Sequence, residues 1–363
     1  MTDAAELETL GLYDPDAPGA AERLSLLRLA LEHGASVHEI RGAIEGARLH
    51  ALAAERVMLD RPPRLTLADA ARAAGVAPDL AARVWRALGF ALPAADEAVC
   101  TDADVDTLAF FAFVADALGV DGAVSQARVT GAALSRLADS SIQLVRTGVE
   151  APLRQSGAGN VDIASRFVDL ASSVVPRIYP MFESVHRRHL VEAARRYALW
   201  GVSPSEASTT DAVIGFADLV GYSALNERLS TRELDALVAS FEQRVLDAVA
   251  GPGARLVKLI GDEAMFVAGT AADAAAVAGQ LLAATELPTM RIGLAGGTVL
   301  AREGDLFGPV VNLAARLERL AEPGQVLLDA DTARGLDPGR VEARGRHTVA
   351  GFAEPVAVFA LTR

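Results

Sequence analysis

The hydrophobic periodicity of the chain changes once, near residue 211, and that change limits the fold more than any other feature. Before it, apolar residues recur at three- and four-residue spacing, as in AERLSLLRLALEH (21–33) and VHEIRGAIEGARLHALAAERVML (37–59). That spacing predicts helices with one buried face. RLTLADAARAAGVAPDLAARVWRALGF (64–90) predicts a helix, a Gly-containing turn and a second helix. VDIASRFVDLASSVVP predicts a helix that runs up to Pro176, and MFESVHRRHLVEAARRYALWG a last one ending near Gly201. GVSPSEASTTD (201–211) combines turn residues without a period and reads as a linker.

Beyond residue 211 the apolar residues come in short runs. AVIGFADLV predicts a buried strand and STRELDALVASFEQRVLDAVAG a long amphipathic helix. ARLVKLIG and EAMFVAG predict two strands joined tightly through Gly261-Asp262. A helix (AADAAAVAGQLLAAT), a strand (TMRIGLAGGTVLA) and a helix (PVVNLAARLERLA) follow, then the short strands GQVLLD, VEARGRHTV and PVAVFALTR. This order is that of a ferredoxin-like sandwich, extended at its C-terminal end. The expected architecture is an all-α domain over 1–200, a linker over 201–211 and an α+β domain over 212–363.

Composition excludes several function classes. The net charge is −13, with 20 basic and 26 acidic residues up to residue 200, and 14 and 21 after it. The helix–turn–helix at 64–90 raises a DNA-binding regulator, with Arg83 and Arg86 on its second helix. The acidic balance of both halves weighs against nucleic acid, which needs clustered cations. A single cysteine, Cys100, leaves no internal disulfide and suits a reducing compartment. The acidic start MTDAAELETL does not read as a signal peptide. The most apolar run, LAFFAFVADALGV (108–120), is interrupted by Asp116 and is too short to span a bilayer. The expectation is a cytoplasmic protein without a membrane span.

The predicted topology brings two carboxylates together. Asp218 ends the first strand and Asp262 opens the third, and in a ferredoxin-like sheet those strands are adjacent and antiparallel. Each alone reads as an ordinary turn aspartate. As a pair they repel unless a divalent cation sits between them.

At this point the residues resemble a family. FADLVGYS (216–223), KLIGDEAMF (258–266) and DLFGPVVNLAARLE (305–318) are similar, in order, to the three signatures of class III nucleotidyl cyclases. The resemblance extends from about residue 211 to 363 and includes the closing hairpin GRHTVAGFAEPVAVFAL. It implies a head-to-tail homodimer with active sites between subunits. It implies that Asp218 and Asp262 ligate two Mg²⁺ or Mn²⁺ ions, and that backbone N–H groups around Gly221 cradle phosphate. It also implies that Asn312 and Arg316, four apart on one helix face, hold the ribose and stabilise the transition state.

The same resemblance explains an oddity of composition. Lys258 is the only lysine among 34 basic residues. In adenylyl cyclases a lysine here donates to adenine N1, and an acid seven residues before the Asn accepts from the N6 amino group; Asp305 is seven before Asn312. An ammonium and a carboxylate complement the adenine edge and mismatch the guanine edge, each pairing worth roughly 1–3 kcal/mol. The expected substrate is therefore ATP, with GTP as the alternative. A diguanylate cyclase is a further rival, because IGDEAMF partly echoes Gly-Gly-Asp-Glu-Phe. One departure stands out: many members carry Lys before the Gly of the closing hairpin, where this chain has Ala350 before Gly351. Arg344, Arg346 and His347 are the available substitutes.

The helical half resembles the regulatory domain of actinobacterial soluble adenylyl cyclases, through its architecture and segments such as VWRALGF and HRRHLVEAARR. Five of six histidines (His33, His38, His50, His186, His189) fall within it. His186 and His189 lie beside Arg187, Arg188, Arg195 and Arg196 on the connecting helix, so regulation by acid is one expectation. Enclosure of a lipid-like ligand among its apolar helices is another.

Overall fold

The computed structural model describes residues 3–59, 61–199, 209–251 and 253–362, with side chains up to Arg195 in the second stretch. The chain divides into two compact units, residues 1–187 and 188–363.

The first unit is helical: α1 (Ala4–Thr9), α2 (Ala20–Glu32), α3 (Val37–Glu45), α4 (Leu49–Met58), α5 (Leu67–Ala73), α6 (Pro78–Ala87), α7 (Asp102–Leu118), α8 (Val120–Val145), a π-helical turn at Arg146–Glu150, α9 (Ala151–Gln155) and α10 (Asn160–Leu199), whose residues from 188 onward are counted in the second unit. Leu7, Leu27, Ile40 and Leu52 centre one core over α1–α4. Trp85, Leu108, Phe111 and Ala127 centre another over α5–α8. The predicted helix–turn–helix is α5 and α6. Thr66 caps α5 by accepting from Asp69 N–H, and Gly75 takes the left-handed φ of +69° that the turn requires.

One sequence expectation is corrected here. The helix predicted to end at Pro176 continues, so that α10 is one 40-residue helix containing Pro176 and Pro180. Each proline removes an N–H donor, leaving the carbonyls of Ser172 and Pro176 without their usual partners. Ser172, Ser173, Pro176 and Pro180 are all exposed, so water can meet these carbonyls, and Arg177 donates its guanidinium to Ser173 O.

The second unit contains β1 (Thr209–Leu219), α11 (Tyr222–Asn226), α12 (Thr231–Val249), β2 (Ala254–Ile260), β3 (Glu263–Ala268), α13 (Ala271–Leu282), β4 (Met290–Arg302), β5 (Asp305–Phe307), α14 (Pro309–Leu320), β6 (Val326–Leu328), α15 (Ala330–Arg334), β7 (Val341–His347) and β8 (Val356–Leu361). Residues 201–208 of the expected linker lie outside the described residues, and Thr209–Asp211 belong to β1. Its strands form one mixed sheet in the order β2-β3-β1-β4-β6-β8-β7, with β5 paired to β4. The first four positions are the ferredoxin-like order, and β6, β8 and β7 extend it. The fold is α+β, as the element order predicts.

The sheet is covered on both faces. Val213, Ala217, Phe266 and Leu294 pack with α12 and α13 on one side. Ile214, Phe216, Met265, Val267 and Ala295 pack with Ala314 and Leu317 of α14 on the other. Residues 212–217 are all buried, which is why β1 reads as a continuous apolar run. Two glycines make this packing possible. A Cβ at Gly215 would lie 2.1 Å from the Phe266 ring, and one at Gly293 would lie 2.2 Å from both Ala314 O and Glu318 N. At Gly293 the backbone of α14 therefore rests directly on β4. Gly293→Ala is expected to cost about 3 kcal/mol, the upper end for an overpacked core, because backbone cannot yield as a side chain can. Urea unfolding of the full chain measures it.

Candidate active site

Strand pairing collects acidic side chains at one end of the central strands. β1 runs antiparallel to β3 and β4, so Asp218 lies opposite Glu263 on one side and Arg291 on the other. Asp262 occupies the β2–β3 turn next to Glu263, after Gly261, whose φ of +65° closes the turn. Arg291 donates from Nε (2.9 Å) and Nη2 (2.7 Å) to Asp218 Oδ2. The same guanidinium lies 2.5 Å from Glu318 Oε1 on α14.

This cluster is electrostatically loaded. Burial pushes the Asp262 carboxyl above the ordinary carboxylate range, and the neighbouring Asp218 charge pushes the same way. Glu263 is raised by burial and again by Asp218. Glu318 is 1% exposed, and burial lifts it to about 7 even with Arg291 against it. Four carboxyl groups thus gather near the Arg291 guanidinium, and Arg319 acts on Glu263 as a second cation.

Among the described residues no three His, Cys, Asp or Glu side chains converge as a complete metal cage. The two adjacent aspartates nevertheless fit Mg²⁺ or Mn²⁺ chemistry. These hard ions take oxygen donors, and Mg²⁺ is commonly bound by one or two carboxylates, with substrate phosphates and water completing the shell.

A second group forms around Lys258. Leu256 pairs with Phe266 but Lys258 pairs with Met265, so Val257 is the extra residue of a β-bulge. The bulge turns Lys258 away from the face that Leu256 occupies. The β4–β5 hairpin turns at Glu303-Gly304, both with positive φ, and brings back Asp305 opposite Arg302. Lys258 Nζ and Asp305 Oδ2 are 2.5 Å apart, and Asp305 Oδ1 accepts from Leu306 N–H at 2.8 Å. Two residues separated by 47 positions in the chain are thus in contact.

Asn312 and Arg316 lie on the exposed face of α14, whose other face buries Ala314, Leu317 and Glu318. Gly221 takes a φ of +82° at the start of α11. Leu219 and Val220 donate their N–H groups to Asp262 O and Thr289 O, so a phosphate could be met only from Gly221 onward. In the closing hairpin, Arg344 sits at a bulge and pairs with Glu342 at 3.0 Å, while Arg346 donates to Pro355 O.

Sequence reasoning missed Arg291 and Glu318. The signal for Arg291 was present: it is a charge inside the apolar run TMRIGLAGG, on a strand flanking the one that bears Asp218. Glu318 offered less, because LERL reads as an ordinary amphipathic helix end.

In the helical unit, Arg83 is paired with Asp121 at 3.2 Å. His186 and His189 are exposed on α10, with Arg187 bonded to Glu183 and Arg195 to Glu192. The Arg196 side chain lies outside those described. An apolar cavity of about 230 Å³ opens between Leu67, Ala71, Pro78 and Leu92. That is below the roughly 300–1,000 Å³ typical of ligand pockets. No helix among the described residues is long and apolar enough to cross a membrane.

Comparison with known proteins places both units. Residues 205–362 match the adenylate and guanylate cyclase catalytic domain, and the chain is a class III nucleotidyl cyclase. Residues 3–193 match the adenylate cyclase regulatory domain, so the chain belongs to the adenylate cyclases that carry this regulatory domain. An adenylate cyclase of Streptomyces coelicolor is 38% identical over 79% of this chain and 75% of its own. A pH-sensitive adenylate cyclase of Mycobacterium tuberculosis is 32% identical over 92% of this chain and 84% of its own. An uncharacterized protein of the same species is 38% identical over 99% and 94%. Among solved structures, the adenylyl cyclase CyaB of P. aeruginosa aligns with 43% of this chain and 95% of its own, at 22% identity and a TM-score of 0.39.

The Glu318 carboxyl generates a stability prediction. Below pH 4.5 the folded and unfolded chains both hold its proton; between 4.5 and about 7 only the folded chain does. Its contribution to stability therefore falls as pH rises through that window. The loss is about 3 kcal/mol, because each tenfold difference in proton affinity between the two states is worth about 1.36 kcal/mol. Glu318→Gln should remove this slope. Denaturant melts at pH 5, 6, 7 and 8 check it; parallel curves for the two proteins would refute it.

Proposed function

We propose that the protein converts ATP to 3′,5′-cyclic AMP and pyrophosphate, as a homodimer with two sites at the subunit interface. In each site the ribose 3′-oxygen attacks the α-phosphorus in line, and the bond from that phosphorus to the pyrophosphate oxygen breaks. Asp218 and Asp262 of one subunit hold two Mg²⁺ or Mn²⁺ ions, and Lys258, Asp305, Asn312 and Arg316 come from the other. When bound, the cations lower the pKa of the 3′-hydroxyl and neutralise the triphosphate. Backbone N–H groups from Gly221 onward meet phosphate. Asn312 orients the ribose, and Arg316 offers its guanidinium to the charge that builds on the transferring phosphoryl oxygens.

The observation that carries this reading is the Lys258–Asp305 contact of 2.5 Å. One donor and one acceptor stand side by side, the complement of adenine N1 and N6. Membership in the adenylate cyclase family supports it independently. Incubating the full chain with Mn²⁺ and ATP or GTP should yield cyclic AMP as the main product. Lys258→Glu combined with Asp305→Cys should erode the ATP preference by roughly tenfold or more, since two pairings worth about 1–3 kcal/mol each are lost. Selectivity that survives both changes means the base is read elsewhere.

The helical unit regulates the catalytic one in this reading, and acidity is its signal. His186 and His189 are exposed on α10 beside Arg187 and Arg188, so their protonation adds charge to an already basic surface. A pH-sensitive relative that matches 92% of this chain supports this. In the full chain, His186→Gln with His189→Gln should flatten the acid side of the pH–rate profile; an unchanged profile removes the idea.

A further inference from the structure

Glu318 occupies a core position of α14, where helical spacing calls for an apolar residue. It follows Leu317, it is 1% exposed, and the neighbouring buried positions on that face are Ala314 and Ala321. A carboxyl placed there loses its hydration, which a hydrocarbon of similar size would not. Its close cationic partner is Arg291, 2.5 Å from Oε1 through Nε. The Nε hydrogen itself is donated to Asp218 Oδ2 at 2.9 Å, with Nη2 adding a second bond at 2.7 Å, so Glu318 Oε1 meets the guanidinium as an ion pair without a hydrogen bond of its own. One guanidinium is therefore divided between the proposed metal ligand on β1 and the helix that carries Asn312 and Arg316. There is no slack in the mounting, because Gly293, two residues after Arg291, brings the β4 backbone against Ala314 O and Glu318 N.

We propose that Glu318 is a positioning residue that acts through Arg291, tying α14 to Asp218 so that the guanidinium is drawn off Asp218 when that carboxylate takes a cation. This rests on the reading of Asp218 as a metal ligand. Asp218 serves one site of the dimer and α14 serves the other. The Asp218–Arg291–Glu318 relay thus links, within a single subunit, the cation-binding half of one site to the Asn312/Arg316 half of the next. Without Glu318, Arg291 loses the pull toward α14, keeps its two hydrogen bonds to Asp218 and competes harder with the incoming ion.

The probe is Mn²⁺ alone, titrated calorimetrically into the full chain at pH 8, where the Glu318 carboxyl is charged. Glu318→Gln keeps the volume and removes the charge; Glu318→Asp keeps the charge and withdraws it from Arg291 by one methylene. Both should weaken Mn²⁺ binding about tenfold, the scale seen when a residue supporting a metal ligand is removed. Both should also lower kcat while leaving the ATP-over-GTP preference and KM within about twofold, since neither touches the base or the ribose. If Glu318→Asp binds Mn²⁺ as the wild type does, charge alone acts at this position and the relay is wrong. If neither variant changes Mn²⁺ affinity, Glu318 only packs, and the relay is again wrong. Should the Gln variant fail to fold, Glu318→Asp decides alone, because the relay requires it to weaken binding. Asp218→Asn separates the two levels of the argument. If it abolishes Mn²⁺ binding while the Glu318 variants do not affect it, the relay fails and the metal reading stands; if it leaves Mn²⁺ binding intact, both fall.

Discussion

Antiparallel pairing of β1 with β3 and β4 is the constraint on which the site depends. β1 is buried for six consecutive residues, so it accepts charge only where it ends. At that end, register places Asp218 between Glu263 and Arg291, while the β2–β3 turn supplies Asp262. The sheet concentrates negative charge where it is half-withdrawn from water, and burial and mutual repulsion raise Asp262 and Glu263 together. A place in the protein that holds protons too tightly is a place that favours a cation. Arg291 meets part of that demand, and a bound metal ion would meet the rest.

α14 relates this charged end to the exposed half of the proposed chemistry. Its spacing separates two jobs on one helix. Asn312 and Arg316 face out, whereas Ala314, Leu317 and Glu318 face the sheet. Because Gly293 admits the helix backbone onto β4, a shift of that strand is a shift of α14. Asn312 and Arg316, the proposed transition-state residues, are thereby mounted on the element that also touches Arg291.

Much of this was legible in the sequence, and the parts that were not have physical reasons. In the second unit periodicity recovered the strands other than β5, the long helices and their order, because β1 and α12 to α14 bury continuous faces. The juxtaposition of β1 with the Asp262 turn followed from topology alone. Lys258 was legible as a singular residue, but its direction was not: strict alternation along LVKLI would put it on the face of Leu256, and only the bulge at Val257 turns it. β5 is three residues long, too short for any period, so the hairpin that delivers Asp305 was invisible. Pro176 reads locally as a helix end, since a local rule cannot tell that the freed carbonyls face solvent. Arg291 and Glu318 escaped because their meaning is wholly three-dimensional. They stand on two separate elements, β4 and α14; Arg291 lies outside the three signature segments, and Glu318 ends the third without a role assigned to it.

The choice of lysine at position 258, in a chain that otherwise always uses arginine, has an energetic side beyond shape. The Lys258 and Asp305 side chains are 40% and 28% exposed, so water screens their contact. An ion pair of that kind contributes about 0–1 kcal/mol. An arginine could grip the carboxylate with two parallel hydrogen bonds, a stronger and more rigid arrangement. Under the proposed function the pair must open to admit a purine between donor and acceptor. A point-charge contact through one ammonium can be exchanged for two base contacts at little cost. A bidentate clasp would oppose the substrate it is meant to read. Under that reading the same ion pair would keep two charged groups satisfied before the nucleotide arrives and yield them when it does.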